Sequence, residues 1–284
     1  MWIAQAAHKD DGSYIPPAKY AVIYKAAIET CDGLDGLQDG LISDPTHCKF
    51  DPKVLECKAG DEPSCLTAPQ VELARKFYSP AKNPRTGEEV YPGLEPGSEL
   101  GWGINAGPKP LAYATDNFKY VIFKNPDWDF HTFNLETDVA AADKVDNGAT
   151  SAMDPDLKAF FARGGKLLLY HGWSDPQISP LNTINYYNNV MKLVGERATE
   201  DSTRLFMLPG MAHCSGGDGP NSFDAIGLLA HWTETGHAPN QMFSSHVANG
   251  IVDRTRPACP YPQVATYKGT GSADDAANFV CKLK

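Results

Sequence analysis

No apolar stretch in these 284 residues approaches the roughly 18 that a membrane-spanning helix needs. Runs of lysine and arginine are absent as well. The net charge of -10 is spread along the chain, which argues against nucleic acid and anionic membranes as partners. The sequence has no Cys-x-x-Cys, and its cysteines do not alternate with histidines at zinc spacing, so disulfides are a better reading of them than a metal cluster. Without His-x-Glu or His-Glu-x-x-His, a metal-dependent hydrolase built on His171, Asp175 and His213 has little support. Gly-x-Ser-x-Gly is missing, and so are internal repeats and low-complexity segments. Met1 to His8 is too short and too polar for a signal peptide.

What the chain does have is an odd number of cysteines, seven, in an ordinary globular composition of 42% hydrophobic and 21% charged residues. Cys31 and Cys48 bracket an Asp/Gly-rich loop, Cys57 and Cys65 a short Gly/Pro turn, and Cys259 and Cys281 the C-terminal tail. Six cysteines admit many pairings, but three local bridges are the expected set, and they leave Cys214 alone. Such bridges imply an oxidising compartment, secreted or periplasmic. A disulfide-rich chain without an export signal leads us to expect further sequence upstream.

Two halves read differently, with the expected boundary between residues 155 and 156. The first is loop-rich. Pro16-Pro17 opens a helix through about Thr30, and Thr67-Ala68-Pro69-Gln70 is the capping box of a helix ending before Ser79-Pro80. The irregular stretch from 81 to 109 is punctuated by Asn83-Pro84, Pro92-Gly93 and Pro96-Gly97. A strand is expected over 118–124 and a helix over 135–145. In the second half Asp154-Pro155 starts a helix, and 166–170 reads as a strand buried on both faces. A helix over 180–194, a strand over 204–208 and a helix over 223–235 follow. This is the α/β alternation of an open parallel sheet.

In such sheets functional groups collect in the loops past the C-terminal ends of strands. One of these loops carries Asp175 and the next His213. Serine hydrolases that follow the chain order Ser, Asp, His put the acid and the base there. The carboxylate would accept Nδ1–H so that Nε2 can act as base. The plainer alternative is that Asp175 caps a helix and His213 is a solvated loop residue. Neither nearby serine suits the nucleophile's elbow, since Ser174 is followed two positions later by Pro176, and Ser215 is preceded two positions earlier by the bulky His213.

The loop from Cys31 to Ile42 holds Asp32, Asp35 and Asp39 among glycines. These carboxylates with the carbonyls of Leu37 and Leu41 would make a compact cage of hard oxygen donors, suited to Ca²⁺. It is not an EF-hand, because Ser43 and Thr46 stand where the closing Glu would fall. A solvated acidic turn is the alternative. Trp102, in the irregular stretch, is a candidate ring for stacking on an aromatic substrate, although most tryptophans are packing residues.

Ile15-Pro16-Pro17-Ala18-Lys19-Tyr20, the Cys31 to Cys48 loop, Tyr170-His171-Gly172-Trp173-Ser174-Asp175-Pro176, Pro209-Gly210-Met211-Ala212-His213-Cys214 and Arg256-Pro257-Ala258-Cys259-Pro260-Tyr261-Pro262 run across nearly the whole chain. In this order they resemble the tannase and feruloyl esterase family, which also contains aromatic-polyester monoester hydrolases. The resemblance implies an α/β-hydrolase core with a large inserted calcium-binding lid, residues 1–155, and the C-terminal part of the catalytic domain, residues 156–284. It implies a secreted serine esterase of small aromatic or phenolic esters, Asp175 and His213 as acid and base, and a structural Ca²⁺ at the aspartate loop. It also implies that Cys214 bonds to a cysteine placed before the nucleophilic serine. The chain departs from the family in lacking the Gly-Cys-Ser-x-Gly-Gly elbow, so this segment alone is expected to be inactive. A non-catalytic, calcium-stabilised binding module is the competing reading.

Overall fold

The computed structural model describes residues 1–109 and 111–283. The chain forms two units, one of Met1–Ala27, Phe50–Met153 and Pro176–Ser179, the other of Ile28–Lys49, Asp154–Asp175 and Pro180–Lys284. The aspartate loop belongs to the second of these units, with Asp154–Asp175 and Pro180–Lys284. Within that unit the Asp39 carboxylate is ion-paired to the Arg256 guanidinium at 2.7 Å. The Leu41 side chain also lies close against Gly210.

The first unit is mostly short helices: α1 (Trp2–Ala7), α2 (Tyr20–Cys31, whose end from Ile28 counts with the second unit), α3 (Ala68–Tyr78), α4 (Gly103–Ala106), α5 (Ala112–Asp116) and α6 (Thr137–Asp146). A small antiparallel pair, β1 (Ala81–Lys82) and β2 (Glu89–Tyr91), lies between α3 and α4. Thr67 caps α3 through a reciprocal box: its hydroxyl accepts Gln70 N–H, and the Gln70 side-chain oxygen accepts Thr67 N–H at 3.0 Å. Helix α3 buries Val71, Ala74 and Phe77 in a core with Ile23, Leu66 and Trp102. Each large apolar side chain removed from water contributes roughly 1.5–3 kcal/mol.

Residues 118–124, expected as a strand, instead lie mostly in a π-helical turn, Asn117–Ile122, with Phe123 N–H reaching Phe118 C=O at 2.9 Å. The aromatic run explains both the expectation and its failure. Phe118 packs on Trp128 and Phe133, with ring centroids 5.3 and 5.2 Å away, so burial is achieved by a local cluster. The backbone then satisfies its polar groups locally, as a helical turn allows and a strand without a neighbour does not.

This unit also buries a carboxylate. Glu99 accepts the Tyr78 phenol at 2.6 Å and Gly97 N–H at 2.9 and 3.0 Å, and is fully buried. Desolvation pushes its pKa up to about 7, against the opposing pull of the Tyr78 and backbone hydrogen bonds. Burial, with the Glu99 charge beside it, holds the Tyr78 phenol well above its usual value.

The second unit carries α7 (Lys158–Ala162), β3 (Leu167–Gly172), α8 (Pro180–Val194), α9 (Glu196–Ser202), β4 (Thr203–Leu208) and α10 (Ala225–Thr235), followed by the strands β5 (Met242–Ala248), β6 (Ile251–Ala258), β7 (Val264–Tyr267) and β8 (Phe279–Lys282). Strands β3 and β4 pair in parallel, from Leu167 opposite Thr203 to Gly172 opposite Leu208, with α8 and α9 in the crossover. The last four strands form two antiparallel pairs, β5 with β6 and β7 with β8.

Helix α7 is shorter than the expected start at Asp154-Pro155, because Pro155 and Asp156 are taken up in a turn whose Asp156 carboxylate accepts Lys158 N–H at 3.2 Å. Strand β4 is buried at Leu205, Phe206 and Leu208, whereas β3, expected to be buried on both faces, is half-buried and leaves Tyr170 40% exposed. Among the described residues β3 has one strand neighbour, β4, which accounts for the difference.

Candidate active site

The first five residues of β3 are apolar or aromatic with one histidine, the strand ends at Gly172, and its register delivers Asp175 three residues later, level with the loop that follows β4. The two loops are laced together by backbone hydrogen bonds. Trp173 N–H donates to Leu208 C=O at 2.9 Å, and Ser174 N–H to Met211 C=O at 3.0 Å. Gly172 makes this approach possible, since a Cβ there would lie 2.1 Å from the Met211 carbonyl oxygen. Gly210, at φ +71°, turns the second loop back, and a Cβ there would strike Leu41 and Gly219.

The result is that two residues 38 positions apart meet: His213 Nδ1 lies 2.7 Å from Asp175 Oδ2. Asp175 is 2% exposed while the His213 side chain is 39% exposed. A buried carboxylate thus holds one ring nitrogen of an imidazole whose other edge is open to solvent. The carboxylate requires the proton on Nδ1, which leaves the Nε2 lone pair available as a base. Among the described residues no hydroxyl or thiol is hydrogen-bonded to Nε2 of His213. Ser215, weighed above as a nucleophile and set aside, is exposed in the same loop, and Cys214 is a free, exposed thiol at φ +61°.

A second imidazole reaches the same carboxylate oxygen. His171 Nε2 lies 3.1 Å from Asp175 Oδ2, and its Nδ1 is 2.7 Å from Thr183 Oγ1 in the first turn of α8. The sequence places His171 four residues before Asp175, but nothing in it points to Thr183.

The aspartate loop keeps its donors close to the backbone. Asp32 accepts Asp39 and Gly40 N–H, Asp35 accepts Leu37 N–H, and Asp39 accepts Leu41 N–H. Carboxylate and carbonyl oxygens are the donors a hard cation takes. No three His, Cys, Asp or Glu side chains among the described residues, however, converge as a metal site. Arg256 is the partner that sequence reading missed, since its ion pair with Asp39 joins positions 217 apart.

The three expected disulfides are present, Cys31–Cys48, Cys57–Cys65 and Cys259–Cys281, with Cα separations of 5.4, 5.1 and 5.5 Å. Trp102 is a packing residue. It is 1% exposed, its ring centroid stands 4.9 Å from Phe77 and 5.2 Å from Tyr78, and its indole N–H donates to Ser98 Oγ at 3.1 Å. No face of that ring is open to a ligand within its unit. Among the described residues no helix is long and apolar enough to cross a membrane.

Comparison with known proteins finds the family model "Tannase and feruloyl esterase" matching residues 1–282. An uncharacterized esterase of Xanthomonas campestris pv. campestris is 35% identical over 99% of this chain and 57% of its own length. A probable feruloyl esterase B-1 of Aspergillus flavus is 33% identical over 95% of the chain and 55% of its own. Among solved structures, feruloyl esterase B from Aspergillus oryzae superposes with a TM-score of 0.90 at 29% identity, covering 99% of this chain and 61% of that one. The chain therefore spans little more than half the length of the relatives it matches.

Proposed function

Because the chain belongs to the tannase and feruloyl esterase family, a family of carboxylic ester hydrolases, we propose that Asp175 and His213 are the acid and base of a serine esterase acting on small aromatic or phenolic esters. The observation that carries this reading is the 2.7 Å contact between a buried carboxylate and an accessible imidazole, at the ends of two adjacent parallel strands. In this reading His213 Nε2 takes the proton of a serine hydroxyl as it attacks the ester carbonyl, and Asp175 stabilises the imidazolium that forms. The imidazolium then protonates the departing alcohol. A water activated by the same nitrogen releases the acid from the acyl-enzyme.

The sequence 1–284 carries no Gly-x-Ser-x-Gly, so the reading takes the serine from outside these residues. Cys214, exposed beside the base, is proposed to bond to a cysteine preceding that serine. The aromatic acyl preference rests on the relatives' names, feruloyl esterase among them. We further propose that the loop of Asp32, Asp35, Asp39, Leu37 and Leu41 binds one Ca²⁺, which would neutralise crowded carboxylates and take no part in the chemistry. Three disulfides support an oxidising, extracellular or periplasmic setting.

The test is hydrolysis of a chromogenic phenolic ester by this chain and by a version extended upstream. Turnover by the extended protein alone, blocked by a serine-directed inhibitor, is the expected result. Turnover by residues 1–284 that disappears in Ser215→Ala would overturn the assignment of the nucleophile. A calcium-containing extended protein without turnover would favour the binding-module reading instead.

A further inference from the structure

His171 stands four residues before Asp175, at the end of β3, and the functional reading leaves it unused. Its side chain is 11% exposed and is held at both ends. Nε2 faces Asp175 Oδ2 at 3.1 Å, and Nδ1 faces Thr183 Oγ1 at 2.7 Å. An imidazole nitrogen facing a carboxylate oxygen at this distance must carry a proton, because two lone pairs would repel there. With the proton on Nε2, Nδ1 of the neutral ring is an acceptor, and the Thr183 hydroxyl donates to it. Thr183 is carried by a 15-residue helix, α8, so the hydroxyl is anchored on a rigid element.

We propose that His171 is a positioning residue for the acid: oriented by Thr183, it donates Nε2–H to the same Asp175 oxygen that receives Nδ1–H from His213. The inference rests on the reading of Asp175 and His213 as acid and base. Two consequences follow from a carboxylate oxygen that accepts from two rings. First, the carboxylate cannot rotate freely about its Cβ–Cγ bond, since rotation would break two hydrogen bonds instead of one, so the oxygen stays aimed at His213. Second, part of its negative charge is already engaged by His171, so less is left to stabilise the His213 imidazolium. His171 and His213 both meet Asp175 at this oxygen, and Thr183 contacts the far nitrogen of His171.

The experiment is ¹⁵N-histidine NMR of the 284-residue chain, following the imidazole titration of His213 in the wild type, His171→Leu and His171→Gln. It needs no ester turnover, so its outcome is separable from that of the esterase assay. Loss of the donor in His171→Leu is expected to raise the His213 pKa by roughly 0.5–1 unit, a 3- to 10-fold gain in proton affinity. His171→Gln, whose amide can donate from a similar reach, is expected to restore most of the wild-type value. A residue that only filled space would leave the titration where it was in the leucine variant, and that result overturns the proposal. Failure of glutamine to restore a shifted titration, in a variant with wild-type thermal midpoint, overturns it too. If His171→Leu does not fold, Thr183→Val decides. Removing the hydroxyl that orders the ring should shift His213 in the same direction by a smaller amount, and an unchanged titration there rejects the mechanism.

Discussion

Glu99 and Asp175 are both buried carboxylates, one in each unit, and they differ in what faces them. Glu99 is met by a phenol and a backbone N–H, neither of which can take up a positive charge at ordinary pH. These hydrogen bonds offset its burial only in part, and its carboxyl is pushed up to about 7. Asp175 is met by two imidazoles, one on each side of a single oxygen. An imidazole can become a cation, so the same degree of burial serves to hold and stabilise a proton acceptor. Burial alone makes a pH-dependent core group, and burial beside a titratable ring is the arrangement from which the acid–base pair is proposed.

The sharpest way to break this comparison is to remove the Asp175 charge. In a protein extended upstream that shows esterase turnover, Asp175→Asn and His213→Ala are each expected to lower kcat by about 10³–10⁴-fold, with little change in KM. Steady-state kinetics on a phenolic ester would check it, and a loss below tenfold for either variant would remove that residue from the chemistry. By contrast, Glu99→Gln should leave kcat unchanged within about twofold.

A third buried charge tests whether pairing or burial matters more. Arg256 and Asp39 are 3% and 4% exposed at the side chain, and Arg256 also lies 3.9 Å over the Phe279 ring. Breaking a buried pair from one side leaves the other charge uncompensated, so Arg256→Met should cost about 3–5 kcal/mol in urea unfolding. A much smaller loss in the presence of Ca²⁺ than in EDTA would show the cation taking over the neutralisation of Asp39.

Glu99 sets the sign of a pH effect. Its folded pKa lies above its unfolded value, so its contribution is fully present below pH 4.5 and is lost as pH rises toward and through about 7. The difference, about 2.5 pKa units, is on the order of 3 kcal/mol. The first unit should therefore be more stable at pH 5 than at pH 8, and Glu99→Gln should flatten that slope in thermal melts followed by tyrosine and tryptophan signals. A wild-type slope of opposite sign, preserved in Glu99→Gln, would show other groups dominating. The smallest expected effect is at the α3 cap, where Thr67→Ala should cost about 1 kcal/mol.

Much of this molecule is legible in its residue order because the signals are local. The α3 capping box spans four adjacent residues, α8 is bounded by Pro180 and Gly195, and the cysteine brackets close over short separations. Local signals fail where two outcomes share a composition. The aromatic run at 118–124 suits a strand or an aromatic cluster equally, and the partner rings Trp128 and Phe133 decided for the cluster. Trp102 has the composition of a ligand-stacking ring or of a core residue, and Phe77 and Tyr78 close around it.

By itself the sequence determined which residue types stand past the two parallel strands, which cysteines are near enough to pair, and where three carboxylates crowd together. These follow from hydrophobic period, turn chemistry and chain proximity, all of which act over a few residues. Only the tertiary structure decided that Asp175 and His213 touch, that His171 and Thr183 stand behind the acid, and that Asp39 answers to Arg256. Apart from His171 and Asp175, which are four positions apart, those contacts join residues 12 to 217 positions apart. A hydrogen bond forms or fails within a few tenths of an ångström, and the placement of segments so distant in the chain comes only from the packing of the elements that carry them.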